Sequence, residues 1–449
     1  MNPGLSEKLV WSAAAALGPV TLALLVRNIL AIPAHVPLDP NEGWNAAHAL
    51  AAMAGHDLYP PPQALMVNNY PPLSFYLIGF LARHGDAIVA GRWVALAAFL
   101  SCIVGIETLL RRMECGLRAI ILGTLFFAAL LLITSDYVGM DDPQLLGHAL
   151  QLGALLLLLR ERVMIAAALF AISLFIKHNL LAMPLAAGLW LLLQDRRTGL
   201  HFLLWGLAFA LSGLVLFQLV FDTSLLDVLA SPRQSSWANL EAAILHLWWA
   251  PLPILAMAGF WPDRHGLLCA LYGGLALFLG LGFAAGDGVD ANAFFDLGIA
   301  LSLTLGLVVE RGRWPVLAAA SALPLLIFLA MNFPDNNFFF TRDFARTSAR
   351  DIAFLKSRPG PALCDQLSLC LWAGKGAEVD VFNVGEAIKV GARDPKPLIH
   401  MIAARHFVAL QLIDSDSLGP DVRRAIAQNY RADHSDDNGT FLVPLKFAL

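Results

Sequence analysis

A chain of 449 residues that is 58% hydrophobic and 14% charged, with a mean hydropathy of +0.65, has more apolar surface than a soluble globular domain needs to bury. Composition therefore excludes the soluble class and points to a polytopic membrane protein. The net charge of -4, with no basic patch, argues against a nucleic-acid partner.

A bilayer-spanning helix takes about 20 apolar residues, and Leu/Ala/Phe-rich runs of that kind predict about eleven spans. They fall near 10–32, 87–110, 118–134, 143–159, 163–176, 180–194, 199–221, 242–261, 266–284, 293–309 and 314–331. The first is longer than the apolar core of a signal peptide and runs on into an acidic loop, so it is expected to stay as an uncleaved anchor. The next apolar stretch, 71–82, is too short to cross and predicts an interfacial or re-entrant helix. Arg111, Arg112, Arg118, Arg160, Arg162, Arg196, Arg197, Arg264, Arg311 and Arg313 then fall on one side of the membrane. The positive-inside rule makes that side cytoplasmic, with the N-terminus inside and the C-terminus outside.

The opposite side collects Asp39, Glu42, Asp136, Asp141, Asp142, Asp222, Asp227, Asp287, Asp290 and Asp296. Asp222, Asp227 and Asp287 suit the ordinary task of capping helix starts. Asp39 and the Asp141–Asp142 pair instead sit at the ends of apolar segments. An acid drawn to mid-bilayer costs on the order of 2.5–3.5 kcal/mol, less near the interface, so acids kept there usually serve function.

From Pro334 the composition changes, and residues 341–449 are charged, proline-punctuated and only locally apolar. The runs "ALCDQLSLCLWAG", "HFVALQLI" and "TFLVPLKF" read as strands, "TSARDIAFLKS" and "PDVRRAIAQNY" as helices. The expected architecture is an all-α polytopic membrane domain over 1–333, with interfacial helices, followed by a small extracytoplasmic α/β domain over 334–449. Cys102 and Cys269 lie in spans, and Cys115 lies on the reducing cytoplasmic side. Cys364 and Cys370 share the oxidising side, where a disulfide is chemically open to them, although a strand running straight through both would hold them too far apart. No CxxC or HExxH spacing supports a zinc site.

Four outer segments supply chemistry: "DPNEGWN", "SDYVGMDDPQLLGH", "IKHN" and "GDGVDANAFFD". Together they offer carboxylates from three loops and the Lys177–His178 pair from a fourth. A group transfer needs such parts: a base for an acceptor hydroxyl and a cation for an anionic leaving group. Asn41, Trp44, Asn45, Asn69 and Tyr70 suit sugar hydroxyls and sugar faces, although interfacial Trp and Tyr are common without such a role. Asp141, Asp142, Asp290 and Asn292 complete the substrate-binding candidates. Lys177 either snorkels to the interface or meets a phosphate. The positive-inside rule disfavours lysine here, so an anion is expected beside it. His178 can be read as a metal ligand or as a packed interfacial histidine, as can His35, His48, His56 and His148. A divalent ion between the carboxylates is left open, since no motif requires any cofactor.

The order of these motifs, an acidic stretch after the first helix, then "NNYPPLSFYL" and an Asp pair before a helix, resembles the glycosyltransferase C superfamily. The nearest likeness is to the aminoarabinose transferase and protein O-mannosyltransferase group. "IKHN" is similar to that group's lysine motif, and "GVDANAFFDLGIA" and "GPALCDQLSLCLWAGKGAEVDVFN" resemble an uncharacterised bacterial branch of it. The likeness spans the whole chain on short, degenerate motifs. It implies a multi-pass enzyme of the bacterial inner membrane that takes a sugar from a polyprenyl-phosphate carrier on the outer face, usually with inversion. The acceptor would be a hydroxyl of a glycan, lipid or protein, and an acid of the first loop would be the base. An outward site fits a lipid-linked donor independently, because nucleotide sugars are cytoplasmic.

Two departures bear on residues. Where relatives carry Asp-Glu this chain reads Asn41-Glu42, with Asp39 two residues earlier. The base is then Asp39, with Asn41 a sugar-binding amide, or it is Glu42; Asp39 is preferred for its closeness to the end of the first span. Where the aminoarabinose enzymes have Glu-Lys before the Pro-Pro, this chain has Asn69-Tyr70, which argues against aminoarabinose as the donor sugar. A transporter would place charges or broken helices near mid-bilayer, and Arg27 alone suggests that. A polysaccharide polymerase or ligase would rely on arginine-rich outer loops, where Arg233 stands nearly alone.

Overall fold

A computed structural model of the chain describes residues 3–61, 63–230, 233–258, 263–332 and 342–445. The helices run in order α1 (Pro3–Ala31), α2 (Pro40–Ala54), α3 (Leu73–Ala82), α4 (Ala87–Arg112), α5 (Leu117–Thr134), α6 (Gln144–Leu158), α7 (Val163–Leu174), α8 (Ala182–Gln194) and α9 (Arg196–Phe221). They continue with α10 (Leu225–Leu229), α11 (Trp237–His246), α12 (Pro251–Ala258), α13 (Arg264–Ala284), α14 (Phe295–Glu310), α15 (Pro315–Ala320) and α16 (Leu323–Asn332).

Among the described residues, seven helical segments are long and apolar enough to cross a membrane, and α11 with α12, bent by 79°, makes an eighth if the pair is one span. α6, α7 and α8 are shorter apolar helices that lie where three further spans were expected, and α3 fills the place of the short interfacial stretch. At 15, 12 and 13 residues, α6, α7 and α8 are short. A rise of about 1.5 Å per residue gives them only about 18–23 Å, against a hydrocarbon core of about 30 Å. α14 is enclosed on nearly all sides by its neighbours, α5 and α13 foremost. α9 turns Leu204, Leu216 and Leu219 outward, as a lipid-facing helix does.

α2 is the helix that the sequence pattern did not separate from its loop. Asp39 caps it in extended conformation, Pro40 takes the first helical position, and Gly55 closes it in the left-handed region at φ 71°. Its inner face, Glu42 to Ala49, is buried although it carries Glu, Asn and His. Polar burial on that scale needs partners, and these define the site.

The C-terminal part adds α17 (Arg342–Lys356), β1 (Ala362–Cys364), α18 (Leu367–Trp372), α19 (Val381–Lys389), α20 (Lys396–Ala403), β2 (Ala409–Leu412), α21 (Pro420–Asn429), β3 (Tyr430–Asp436) and β4 (Gly439–Pro444). Its sheet has the order β1-β2-β4-β3, with β1 and β2 parallel and the other pairs antiparallel. "ALCDQLSLCLWAG", expected as one strand, is instead a three-residue strand, a turn and the helix α18. That turn brings the two thiols together, and Cys364 and Cys370 form a disulfide with Cα atoms 6.0 Å apart. β3 was not anticipated, because "YRADHSD" is a charged edge strand that pairs through its backbone. The expected boundary at 333/334 lies outside the described residues.

The C-terminal part sits directly on α2. A Cβ at Gly43 would lie 2.1 Å from the Ser368 nitrogen, so only glycine allows α18 this approach. Trp372 donates to Asp86 Oδ2 at 2.8 Å, and the Asp380 N–H donates to the Leu65 carbonyl at 2.8 Å.

Candidate active site

Glu42 enters the core one turn into α2, where Arg92 of α4 meets it. Arg92 Nε donates to Oε1 at 2.6 Å and Nη2 to Oε2 at 2.7 Å, with both side chains fully buried. The N–H groups of Leu38 and Asp141 donate to the same carboxylate at 3.0 and 3.2 Å. Its four lone-pair positions are thereby filled. The rest of the guanidinium donates to the carbonyls of Ala34 and Val36, each at 2.7 Å, and of Ile32 at 3.3 Å. Arg92 thus ties the end of α1 and the segment after it to the start of α2.

Asp141 is held through its backbone, its carbonyl accepting from Asn45 Nδ2 at 2.8 Å. Its carboxyl is wholly buried, and among the described residues neither oxygen has a hydrogen-bond partner. Burial, with Glu42 and Asp142 alongside, pushes it well above the usual carboxylate range. The space it fills exists because residue 91 is glycine; a Cβ there would lie 1.9 Å from Oδ1.

Asp142 faces the other way. It receives Lys177 Nζ at 3.0 Å on Oδ2 and 3.3 Å on Oδ1, and the Gln144 N–H at 2.7 Å. Lys177 is 2% exposed, and its ammonium lies 3.8 Å from the centre of the Tyr70 ring. An anion was expected beside this lysine, and a carboxylate of the protein, Asp142, lies there. His178 packs edge-on to Tyr70, with ring centroids 6.2 Å apart. Burial, Lys177 and Arg233 lower its pKa to about 4, so the imidazole is neutral at pH 7.

Asp39 stands at the mouth of this arrangement, half-buried. Its Oδ1 accepts the Asn41 N–H at 2.7 Å, and among the described residues nothing donates to Oδ2. Burial foremost, then the charges of Asp290, Glu42 and Asp142, raise its pKa to about 7, against the capping hydrogen bond that lowers it. Asn41 is half-buried in the first turn of α2. Asp290 is exposed at the start of the 3-10 turn Ala291–Phe294, and the Asn292 carbonyl accepts from Gln144 Nε2 at 3.4 Å. Asp290 also lines a cavity of about 900 Å³, together with Arg27, Asp136, Asn239, His246 and Trp248.

Trp44 and Asn69 are engaged with the C-terminal part. Trp44 Nε1 donates to Asp380 Oδ2 at 2.9 Å, and Asn69 Nδ2 to Asn383 Oδ1 at 3.3 Å. Trp44 also meets Tyr70 edge-on at 4.8 Å. Asp380 is buried, and burial raises its pKa to about 6 against hydrogen bonds from Asn383 and Trp44.

Lys177, Asp142, Tyr70 and His178 therefore form one contiguous group, and Asp142 is close enough to Asp39 to act on it electrostatically, as Asp290 does. Arg92 and Asp380 escaped the sequence reading, and Arg233 entered it only as a nearly lone loop arginine, not as a site residue. Arg92 carried a usable signal, since it lies toward the end of α4 away from Arg111 and Arg112, where the positive-inside rule does not expect a cation. Arg233, which donates to the Asp287 carbonyl at 3.3 Å and lies 5.7 Å over Phe382, sits in an irregular loop with no pattern to mark it.

No protein-family model and no curated protein sequence matches the chain. Its fold does match solved structures. ArnT from Cupriavidus metallidurans in the apo state superposes with a TM-score of 0.60 at 12% identity, over 96% of this chain and 98% of that one. ArnT from the same organism bound to undecaprenyl phosphate gives 0.62 at 11% identity, with the same coverage. The likeness that the sequence motifs suggested thus holds for the architecture: from end to end, this chain has the fold of ArnT.

Proposed function

We propose that the chain is an integral-membrane glycosyltransferase that moves a sugar from a polyprenyl-phosphate carrier to an acceptor hydroxyl at the outer face of the bacterial inner membrane. The end-to-end ArnT fold, including a structure bound to undecaprenyl phosphate, supports the class of enzyme and carrier. The observation that carries the chemistry is how three acids of the site are used. Glu42 is saturated by Arg92 and two backbone N–H groups, and Asp142 is taken by Lys177. Asp39 keeps an open oxygen and a pKa of about 7, suited to a base working near neutral pH.

In this reading the acceptor oxygen attacks the anomeric carbon while Asp39 takes its proton. The bond from the anomeric carbon to the carrier phosphate oxygen breaks, the phosphate leaves with the electron pair, and attack from the opposite face inverts the centre. Lys177, pre-set by Asp142 and Tyr70, and Arg233 supply positive charge to the leaving phosphate. Tyr70 offers its ring and Asn41 its amide to the sugar. Glu42 and Arg92 act through the backbone, fixing the start of α2 and with it Asp39.

A second reading, transport of a glycan or lipid-linked intermediate, draws on the 79° bend between α11 and α12 and on Arg27 in the wall of the large cavity. Purified protein given a lipid-linked sugar and a hydroxyl acceptor separates the two. Transfer is expected, with Asp39→Asn slower by about a hundred- to ten-thousandfold and donor binding retained. Uptake of the lipid-linked compound into proteoliposomes without transfer would replace the enzyme reading with the transporter. Near-normal turnover of Asp39→Asn would remove Asp39 as base.

A further inference from the structure

A second constellation lies in the C-terminal sheet. β3 is an edge strand whose register against β4 shifts between Ala432 and His434, so Asp433 bulges and the following side chains are re-aimed. His434 Nε2 comes 3.3 Å from Asp351 Oδ1 on α17 and 3.8 Å from Asp436 Oδ2 on its own strand. One ligand atom from each of the three lies within 4.8 Å of the others, and among the described residues no other three-ligand group of His, Cys, Asp or Glu does so. We propose that Asp351, His434 and Asp436 bind one divalent transition-metal ion, zinc by the chemistry of the donors, which clips α17 to the terminal hairpin.

His434 and Asp351 are each held by something outside the trio. The His434 ring lies flat on Phe441, centroids 4.5 Å apart and planes within 6°, and meets Phe354 edge-on at 4.9 Å. Its other nitrogen, Nδ1, faces Asp433 Oδ2 at 3.1 Å. A carboxylate on the far nitrogen fixes the tautomer that presents Nε2 and makes it a better donor. Asp351 is 1% exposed, and its second oxygen accepts from Asn438 Nδ2 at 2.6 Å, which leaves Oδ1 to face the imidazole.

Charge gives an independent reason. Asp351, Asp433 and Asp436 surround a single imidazole, and among the described residues no lysine or arginine pairs with any of them. A proton on His434 offsets one negative charge of the three; a dication offsets two and needs no imidazolium. Zinc with N and O donors at about 2.0–2.2 Å holds its ligand atoms about 3–3.5 Å apart, with water filling a position when the protein supplies three. The spacings of 3.3 and 3.8 Å are close to that. Calcium would want six to eight oxygens, and imidazole is not a ligand it favours. The clip would join α17, the first described element after the membrane helices, to β3 in the last hairpin.

The test uses the whole protein in detergent, stripped with EDTA and dialysed against zinc chloride, with bound metal measured by plasma mass spectrometry and unfolding followed in parallel. One zinc per chain is expected, together with a higher unfolding temperature in zinc than in EDTA. His434→Gln and Asp436→Asn should each weaken zinc affinity at least about a hundredfold and abolish that temperature difference. Asp433→Asn should weaken it by about 10–100-fold. Asp436 is partly exposed, so its variant decides the matter if His434→Gln does not fold. Less than half a zinc per chain, equal binding by Asp436→Asn, or calcium retained in preference to zinc would each overturn the proposal. None of these readouts depends on glycosyl transfer.

Discussion

Substitutions at Glu42 and Arg92 separate a group that holds the site from one that reacts. Arg92→Leu removes the cation and leaves a fully buried carboxylate with two backbone donors, from Leu38 and Asp141. It also removes the guanidinium from the carbonyls of Ala34 and Val36, which it reaches at 2.7 Å. Breaking a buried pair from one side costs about 3–5 kcal/mol, and the lost carbonyl contacts place this variant at the upper end. Glu42→Gln keeps the shape and one acceptor oxygen but turns an amide N–H toward an arginine N–H, so about 3 kcal/mol is expected. At about 2–4 °C per kcal/mol, the unfolding midpoints should fall by about 10–20 °C for Arg92→Leu and about 6–12 °C for Glu42→Gln. Tryptophan fluorescence in detergent reads the midpoint, and turnover at a temperature well below it reads the chemistry. Glu42→Gln should keep turnover within about tenfold of wild type. A variant with an unshifted midpoint and no turnover would refute the reasoning and make Glu42 the base.

Lys177→Met leaves Asp142 buried without its cation and should destabilise by about 3–5 kcal/mol; Lys177→Met with Asp142→Asn should recover most of that midpoint. If Lys177 meets the leaving phosphate, the double variant still loses about ten- to a hundredfold in kcat/KM, the worth of about 1.5–3 kcal/mol for a charge-assisted contact; full turnover would make the pair structural. Asp39 accepts a proton only when ionised, so kcat/KM should fall about tenfold per pH unit below its pKa of about 7, and a profile flat down to pH 5 would contradict the assignment. The raised pKa also means that the folded state holds this proton where the unfolded chain has lost it. Stability from Asp39 therefore declines as pH rises from about 4 to about 7, and Asp39→Asn should unfold at a higher temperature than wild type at pH 8. Gly91→Ala drives a methyl to 1.9 Å from Asp141 Oδ1, an overpacking of about 1–3 kcal/mol; adding Asp141→Ala should restore the midpoint if that collision is the cause.

The long membrane helices were legible because a bilayer imposes a minimum apolar length, and composition reports length directly. α3 was legible for the converse reason, being too short. What failed was local shape without a period. A straight strand was expected through Cys364 and Cys370, yet the chain leaves the sheet at Cys364 and enters a helix within three residues. β3 has no alternation to find, because its outward face is solvated and its pairing is made by backbone groups. In the site, the sequence could show that an outer lysine needs an anion but not which one, since Asp142 and Lys177 are 35 residues apart. The same limit hid Arg92, which lies 50 residues from Glu42.

The C-terminal part, expected as a small domain of its own, is the component whose role the sequence conveyed least. It is too small to suggest a separate catalytic module, yet it supplies walls to the site. Asp380 accepts from Trp44 Nε1 at 2.9 Å and from Asn383 Nδ2 at 2.7 Å, and Asn383 in turn receives Asn69. α18, anchored to β1 by the disulfide, lies against α2 where only glycine fits. Both contacts fall on the helix whose first residue is capped by Asp39 and whose first turn holds Glu42. The position of the proposed base is therefore set from two directions, by Arg92 within the membrane part and by Asp380 and α18 above it. A rigid α2 matters because a base misplaced by about an ångström costs on the order of a hundredfold in rate. The membrane helices alone leave one side of α2 uncovered, and the C-terminal part covers it.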